Sequence, residues 1–363
     1  MTDVFYTSPW VPAEWIKAHG LQPRGVWAAP DFGAEALPLS AGVCAFSQAV
    51  VRLAQKQTDS AVIFTTHCDQ LRRGFDEAAG ASSKRVFLFN LPATWQTPTA
   101  LRIVSAELQR LGHFLTAAGG HPPPAEDLAA LMIQYGAARR QLREASRRLP
   151  ARAYAEAVAQ FHWEGPKRGG FSRSSVDDSE VPCEPPGNRS PASAAAETAE
   201  PRSASIPLAL IGGPLPPSHG KLFDIVARAG GCVVLNATDS GERGLLPTAG
   251  DEMGAPDAAR ALVSSLLKSS PAELLARRYL DGCVDVFQRP NTRLYSWLRE
   301  RLAARNVRGI MLWHFVGCDL WRAEAQSLRE AFGLPLLLLE ADEAHGNAPR
   351  QTGRIEAFLE ALR

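Results

Sequence analysis

The stretch AVIFTTHCDQLRR at 61–73 decides the fold class of the first half of this chain. Its continuous apolar run is typical of a strand that is buried on both faces of a parallel sheet. The run then passes through a Cys-Asp pair, at Cys68, into a segment with helical spacing of apolar residues. The same order returns in GIMLWHFVGCDLWRAEAQSL at 309–328, where the Cys-Asp pair begins at Cys318. Both stretches therefore predict a buried strand, a Cys-Asp junction and a helix.

Strands and helices alternate along the rest of both halves. Further strands are predicted at 84–92, 206–213, 232–237, 307–315 and 334–342. Helices are predicted at 69–80 (ended by Gly80), 97–120 (capped by Thr97), 124–161, 221–231, 256–279, from Asp319 onward and at 350–363. Such alternation implies parallel sheets with right-handed crossovers. We expect an α/β protein with two open, flavodoxin-like parallel-sheet domains that face each other across a cleft.

One segment differs sharply in composition from the two halves. Residues 164–205 are rich in Ser, Pro, Gly and Ala and almost lack large aliphatic side chains. A segment of this kind buries too little apolar surface to offset the entropy of ordering it. The sequence therefore predicts an N-terminal α/β domain with a helical extension at 1–163, a disordered linker or insertion at 164–205, and a C-terminal α/β domain at 206–363.

The charge and hydropathy of the whole chain exclude several classes of protein. The 363 residues carry 39 basic and 38 acidic side chains, so electrostatics gives no case for a nucleic-acid or membrane-surface partner. No apolar run approaches the roughly 18 residues that a membrane span needs. The first residues show no basic segment followed by an apolar one, as a secretory leader would. We predict a cytoplasmic protein.

Three cysteines are candidate metal ligands because each stands at an expected helix start. Cys68 and Cys318 follow strands, and Cys44 precedes the helical segment AFSQAVVRLAQK. A helix N-terminus lowers the pKa of a thiol and favours the thiolate, the form that binds metal. A single cysteine after a strand is otherwise a small buried apolar residue, and no CxxC spacing supports a metal site here. Cys283 is assigned to the core or, alternatively, to a remote fourth ligand.

Several segments, in the same order, resemble the family of 2-hydroxyacyl-CoA dehydratase and benzoyl-CoA reductase subunits, in particular the dehydratase D-component. They are YTSPWVPAEWIKAHGLQP at 6–23, TTHCDQLRR at 65–73, FNLP at 89–92, the long stretch at 307–342, and RQTGRIEAFLEAL at 350–362. The resemblance covers nearly the whole chain apart from 164–205.

The resemblance implies an iron–sulfur site. Subunits of this family bind one cluster, normally [4Fe–4S], through three cysteines, which correspond here to Cys44, Cys68 and Cys318. Three protein ligands leave one iron open. The resemblance also implies that Glu14 is an acid/base or ligand-positioning group, although a Glu in a first helical turn also suits the helix dipole. Some relatives hold a double-cubane cluster instead, and that alternative stays open.

The activity that the resemblance implies is a radical dehydration. A low-potential electron converts the thioester of a 2-hydroxyacyl-CoA into a ketyl radical anion, which expels the 2-hydroxyl group. Reduction of an acyl-CoA thioester, as in benzoyl-CoA reductases, is the related activity that the resemblance also implies. The expected partners are a homologous second subunit, an ATP-dependent iron–sulfur activator protein and the acyl-CoA substrate. The chain itself shows no GxxxxGK[ST] phosphate loop. A cluster-carrying redox protein, an electron-relay subunit without a substrate site and a structural paralogue are the alternatives.

Five polar residues near the predicted strand ends are weaker candidates. His67 and His314 flank the two Cys-Asp junctions, and the sequence favours a structural role for both. Asp239 and Arg243 follow the strand at 232–237, where the family often has an Asp and an Arg. Asn236 stands at the family's acidic strand-end position.

Overall fold

The computed structural model describes residues 2–30, 32, 42–57, 59–82, 85–167, 205–246, 270–341 and 348–363. The predicted linker at 164–205 lies outside the described residues except at its two ends. The same holds for the part of the predicted helix at 256–279 that precedes Ser270.

The first half forms a four-stranded parallel sheet with the spatial order β2-β1-β3-β4. Its strands are β1 (Asp3–Tyr6), β2 (Gln22–Gly25), β3 (Ala61–Thr65) and β4 (Val86–Phe89). Its helices are α1 (Ala13–Ala18), α2 (Ala45–Lys56), α3 (Asp69–Ser82) and α4 (Pro98–Ala117). Every residue of β3 is buried, as the continuous apolar run predicts.

The second half repeats this arrangement with the order β6-β5-β7-β8. Its strands are β5 (Ile206–Gly212), β6 (Gly231–Ala237), β7 (Gly309–Phe315) and β8 (Leu336–Ala341). Its helices are α7 (Lys221–Arg228), α8 (Pro271–Gly282), α9 (Thr292–Ala304), α10 (Asp319–Phe332) and α11 (Ala348–Ala361).

The strand order confirms the predicted fold class. In both halves the first strand pairs in parallel with the second and the third, which is the order of flavodoxin-like sheets. The carboxyl ends of the strands in such a sheet gather loops and helix N-termini at one edge. The Cys-Asp junctions follow β3 and β7, the third strand of each half, so they occupy equivalent places in the two sheets.

Two further helices connect the halves. The predicted helix at 124–161 is in fact two, α5 (Ala125–Ala145) and α6 (Ala151–Glu164), because Pro150 disfavours a helical conformation before it and begins the second one. Helix α6 packs against both β2 and β6. The Tyr6 hydroxyl lies 3.0 Å from His162 Nδ1, and Arg152 Nη1 lies 2.7 Å from Asp224 Oδ2. The helical extension thus contacts both sheets.

Two predicted helix ends can be compared directly with the structure. Helix α3 continues two residues past Gly80, so the prediction that this glycine ends the helix is wrong. A Cβ added at Gly80 would meet no neighbouring heavy atom within 4 Å, so the local packing does not require a glycine at this position. Thr97, in contrast, is the N-cap of α4, with Pro98 at the first helical position.

Replacing Thr97 with alanine is expected to lower the free energy of unfolding by about 1 kcal/mol. Thr97 Oγ1 accepts a hydrogen bond from the Ala100 amide at 3.1 Å, and alanine leaves that amide without its cap. Urea unfolding followed by circular dichroism measures the change. Thr99→Ala, two residues away on the exposed first turn, is the control and should cost less than about 0.5 kcal/mol. Equal losses in the two variants would contradict the capping role.

None of the helices in the described part of the chain is both long enough and apolar enough to cross a bilayer.

Candidate functional site

All three candidate cysteines lie at helix N-termini. Cys44 is the N-cap of α2, and Cys318 is the N-cap of α10. Cys68 immediately precedes α3. The Cys44 sulfur accepts a hydrogen bond from the Ser47 amide at 3.5 Å. The prediction that each cysteine stands at a helix start is therefore confirmed, including the one for Cys44.

Gln70 joins the helix starts of Cys44 and Cys68. Its side-chain oxygen accepts a hydrogen bond from the Cys44 amide at 2.7 Å, and its carbonyl accepts one from the Ser47 hydroxyl at 2.7 Å. Gln70 lies two residues after Cys68, so these bonds fix the start of α2 against the start of α3. Two cysteines that are distant in sequence are thereby held at one edge of the first sheet.

One cavity, which we call the thiol cavity, is lined by all three cysteines. Residues from both halves contribute to its wall: Thr7, Cys44, Phe46, His67, Cys68, Leu71, Gly213, Pro214, Asp239, Asp285, Val286, Phe315, Cys318, Leu320 and Trp321. Cys44, Cys68, Cys283 and Cys318 carry free thiols, and of these four only Cys283 does not line the cavity. Cys283 is buried, with 4% of its surface exposed, as its assignment to the core predicts.

Burial dominates the electrostatics of the three thiols. Burial and, to a smaller extent, the neighbouring Cys68 raise the pKa of Cys44 to about 12. Burial also raises the pKa of Cys68 and of Cys318, and Cys68 and Cys44 add to the shift of Cys318. Backbone amides at the helix starts oppose these shifts without cancelling them. The expectation that helix N-termini would lower the thiol pKa values is wrong for the net effect, because desolvation is the larger contribution.

The donor set suits an iron–sulfur cluster. Three thiols share one poorly solvated cavity, where three thiolates would repel each other unless a cationic group lay between them. Thiolates are soft ligands of the kind that iron–sulfur clusters take. Within the described residues, no three His, Cys, Asp or Glu side chains are grouped closely enough to hold a single metal ion. Each thiolate of a cluster binds a different iron, so its ligands stand farther apart than those of one ion. Three free thiols around one cavity are thus the kind of donor set that an iron–sulfur cluster takes.

A buried charge triad contributes two carboxylates to the lining of the thiol cavity. Arg243 Nη2 lies 2.5 Å from Asp239 Oδ1, and its Nη1 lies 3.0 Å from Asp285 Oδ2. The guanidinium also donates hydrogen bonds to the carbonyls of Ala237, Gly212 and Val284. It stacks on Trp321, with 4.7 Å between its carbon and the ring centroid. Arg243 thus fixes both cavity-lining carboxylates and the first turn of α10.

The two carboxylates of this triad are close enough to affect each other's charge. Burial raises the pKa of Asp239, Arg243 lowers it and Asp285 raises it again, with a result of about 6. A carboxyl group with this pKa exchanges a proton near neutral pH. The thiol cavity therefore combines metal-type ligands with a carboxyl group that can take up or release a proton.

The two histidines beside the Cys-Asp junctions have different surroundings. His67 lines the cavity, and its Nδ1 lies 2.7 Å from Thr65 Oγ1. Burial lowers its pKa, Asp285 opposes this and Arg243 lowers the pKa further, so the surroundings favour the neutral ring. His314 is buried inside β7, where its Nδ1 lies 3.0 Å from the Phe315 carbonyl and its Nε2 lies 3.6 Å from Glu340. His314 is not among the residues that line the cavity, which supports its structural role.

Glu14 is not among the residues that line the thiol cavity. It is fully buried and forms a two-pronged ion pair with Arg139, at 2.9 and 3.2 Å. The Tyr279 hydroxyl also donates to Glu14 Oε2 at 3.0 Å. Burial alone would raise the pKa of Glu14, but the charge and hydrogen bonds of Arg139 outweigh burial and lower it. Glu14 thus connects α1, α5 and α8, and its acid/base role stays a prediction.

Asn236 and Asp285 show what sequence patterns identify and miss. The Asn236 side chain accepts hydrogen bonds from the amide and hydroxyl of Thr238, so it holds the turn after β6 instead of lining the cavity. Asp285 does line the cavity, but it follows helix α8 and not a strand, and no motif marks it.

One comparison with known proteins identifies the family of this chain. A search of curated proteins finds none that matches the chain. The family model described as 2-hydroxyglutaryl-CoA dehydratase, D-component, matches residues 10–362, which is nearly the full length. The chain therefore belongs to the family of 2-hydroxyglutaryl-CoA dehydratase D-components.

Proposed function

We propose that this chain is the iron–sulfur subunit of a 2-hydroxyacyl-CoA dehydratase and that Cys44, Cys68 and Cys318 hold a [4Fe–4S] cluster. One observation carries the proposal. In a chain of the D-component family, three free thiols from both halves, each at a helix N-terminus, line a single cavity. The family supports an acyl-CoA dehydratase component; the cluster, the radical chemistry and the choice between lyase and reductase belong to the proposal.

The protein groups around the cavity have distinct roles in the proposed reaction. A cluster held by three thiolates supplies a one-electron reductant with one open coordination position. Arg243 holds the carboxylates of Asp239 and Asp285 in place, which keeps a proton-exchanging group beside the site. The apolar side chains of Phe46, Phe315 and Trp321 exclude water from it. This wall suits a reaction whose radical intermediates must not meet solvent.

The proposed partners are those that the family resemblance implies. A low-potential electron must come from outside, and the sequence contains no Walker-type phosphate loop to couple its delivery to ATP hydrolysis. An ATP-dependent iron–sulfur activator protein would deliver this electron. We include it and a homologous second subunit in the proposal because the resemblance implies both. The proposed enzyme would work in the cytoplasm, where free thiols stay reduced.

Anaerobic purification or reconstitution followed by iron and sulfide analysis tests the metal site. The wild-type chain should hold about four irons and four sulfides, with broad absorbance in the visible range. Cys44→Ser, Cys68→Ser and Cys318→Ser should each lose most of this absorbance, because each removes one of three ligands. Cys283→Ser is the matched control, since it removes a buried free thiol outside the cavity and should keep the full iron content.

Each result has a definite meaning. Full iron content in all three cavity variants, or no iron in the wild type, would refute the metal site. About eight irons would favour the double-cubane alternative. With the cluster in place, dehydration of 2-hydroxyacyl-CoA thioesters in the presence of an activator and ATP would establish the lyase, whereas reduction of aromatic CoA thioesters alone would establish the reductase.

A further inference from the structure

A second cavity, which we call the arginine pocket, is separate from the thiol cavity in its lining residues. It has a volume of about 580 Å³, which lies within the range of small-molecule sites. Six arginines line it: Arg140, Arg143, Arg147, Arg148, Arg301 and Arg305. None of its lining residues is shared with the thiol cavity.

The pocket forms where two helices end side by side. Three of its arginines lie on or just beyond the last turn of α5, and two lie at the end of α9. The partial negative charge of a helix C-terminus stabilises nearby cations, which helps the fold to tolerate the gathered charge. Arginines at the C-terminus of either helix alone would be an ordinary way to stabilise a helix end. Two of them converging on one concave surface produce a concentrated positive field.

The charges in the pocket do not balance. The described lining residues include six arginines and only three glutamates, Glu144, Glu242 and Glu300. Glu242 is buried and forms ion pairs with Arg301, at 3.4 Å, and with Arg305. Arg147 and Arg148 are exposed and form no ion pair among the described residues. The charges of Arg147 and Arg148 are therefore available to an anion.

A buried tyrosine hydroxyl lies close to the charged groups of the arginine pocket. Tyr154 is 3% exposed, and its hydroxyl finds no hydrogen-bond partner within the described part of the chain. Glu242, Arg305, Arg143 and Arg301, which all line the pocket, are the charged groups that act on this hydroxyl. Tyr154 is not itself among the residues that line the pocket, so its hydroxyl lies close to the charges of the pocket without forming part of its wall.

We propose that the arginine pocket binds the diphosphate group of a small molecule. Planar guanidinium groups bind phosphate oxygens in pairs, and several of them around one cavity match a ligand with more than one phosphate. The ligand could be a free nucleoside diphosphate or the diphosphate of a coenzyme A thioester. The second source rests on the proposed function, whereas the site itself does not.

Adjacent residues in the sequence connect the arginine pocket with the charge triad of the thiol cavity. Glu242 and Arg243 are neighbours on the same short 3₁₀ turn, Glu242–Leu245. Glu242 pairs with arginines of the pocket, and Arg243 pairs with the cavity carboxylates. An anion that competes with Glu242 for Arg301 and Arg305 therefore acts on the turn that fixes Arg243.

Isothermal titration of the purified full chain with inorganic pyrophosphate tests the site. The wild type should bind pyrophosphate, and the affinity should fall as the NaCl concentration rises. The double variant Arg147→Gln/Arg148→Gln should bind at least about tenfold more weakly, because each lost charge-assisted hydrogen bond is large enough for that change. Arg277→Gln, on the exposed face of α8, is the matched control and should bind like the wild type.

The remaining arms identify the ligand and separate this proposal from the metal site. Displacement of pyrophosphate by ADP supports a nucleotide ligand, and displacement by coenzyme A supports the substrate's own diphosphate. Cys68→Ser should bind pyrophosphate normally, so a failed metal site leaves this test intact. No binding to the wild type, equal affinity in the double variant and Arg277→Gln, or equally tight binding of orthophosphate would each overturn the proposal.

Discussion

Arg139→Met should lower the free energy of unfolding by about 3–5 kcal/mol, the usual cost of leaving one partner of a buried ion pair alone. Only 5% of the Arg139 side chain and 1% of the Glu14 side chain is exposed, so in the variant the Glu14 carboxylate has neither its cation nor solvating water. The same change removes the hydrogen bond from Arg139 to the Tyr279 hydroxyl. Urea unfolding at pH 7, followed by circular dichroism and tryptophan fluorescence, measures the loss.

The loss in Arg139→Met should depend on pH in a defined direction. In the wild type the pKa of Glu14 is lowered, so its contribution to stability is present above the ordinary value of 4.5 and disappears as the pH falls. Without Arg139, burial remains and raises the pKa of Glu14. A raised carboxyl pKa stabilises the folded state below the ordinary value and loses that effect as the pH rises. The deficit should therefore be larger at pH 8 than at pH 5.

A double variant is the control for this prediction. Glu14→Leu/Arg139→Met removes both charges and should recover most of the lost stability, because a buried ion pair can be replaced by apolar side chains at little cost. Its deficit should also lose the pH dependence. A single-variant loss below about 1 kcal/mol, or a double variant as unstable as the single one, would contradict the buried pair.

Arg243→Leu should also destabilise the chain by at least about 3–5 kcal/mol. The change leaves two buried carboxylates, Asp239 and Asp285, without their shared cation. It also deprives the Gly212 carbonyl of a donor at 2.8 Å. The two carboxylates then repel each other inside the protein. The same unfolding measurement applies, with iron content of the reconstituted chain as a second readout.

Arg243→Lys separates charge from geometry. Lysine keeps the positive charge but cannot reach two carboxylates and several carbonyls with a planar fork, so it should restore only part of the stability. Arg277→Leu, on an exposed position of α8, should change stability by less than about 0.5 kcal/mol. Full rescue by lysine would show that the fork geometry of Arg243 is unimportant.

Sequence patterns predicted the parts of the fold that local chemistry determines. Long apolar runs marked β3, β5, β7 and β8, and the Thr97-Pro98 pair marked the start of α4. Strands β1 and β2, with four residues each, were not predicted. Strand β2 also contains Pro23 and Arg24, which interrupt any apolar pattern.

The candidate site was predictable only where its residues follow strands. Cys68 and Cys318 were visible at the ends of β3 and β7, and the position of Cys44 rested mainly on the family resemblance. The buried groups that surround Glu14 depend on tertiary contacts. Arg139 meets Glu14 across 125 residues, and Tyr279 meets it across 265. No local pattern connects positions that far apart, so these partners appear only in the folded chain.

The repeated strand order has a consequence for the number of thiols. Among the described residues, one helix lies directly before the third strand and one directly after it in each half, although the second half has a further helix, α8, before α9. Cysteines stand at both starts that follow a third strand, Cys68 and Cys318. Of the two that precede it, α2 begins after Cys44, whereas α9 begins after Asn291, whose side chain donates to Glu324 at 2.8 Å. Of these four helix starts, three therefore carry a cysteine, and Asn291 stands at the fourth.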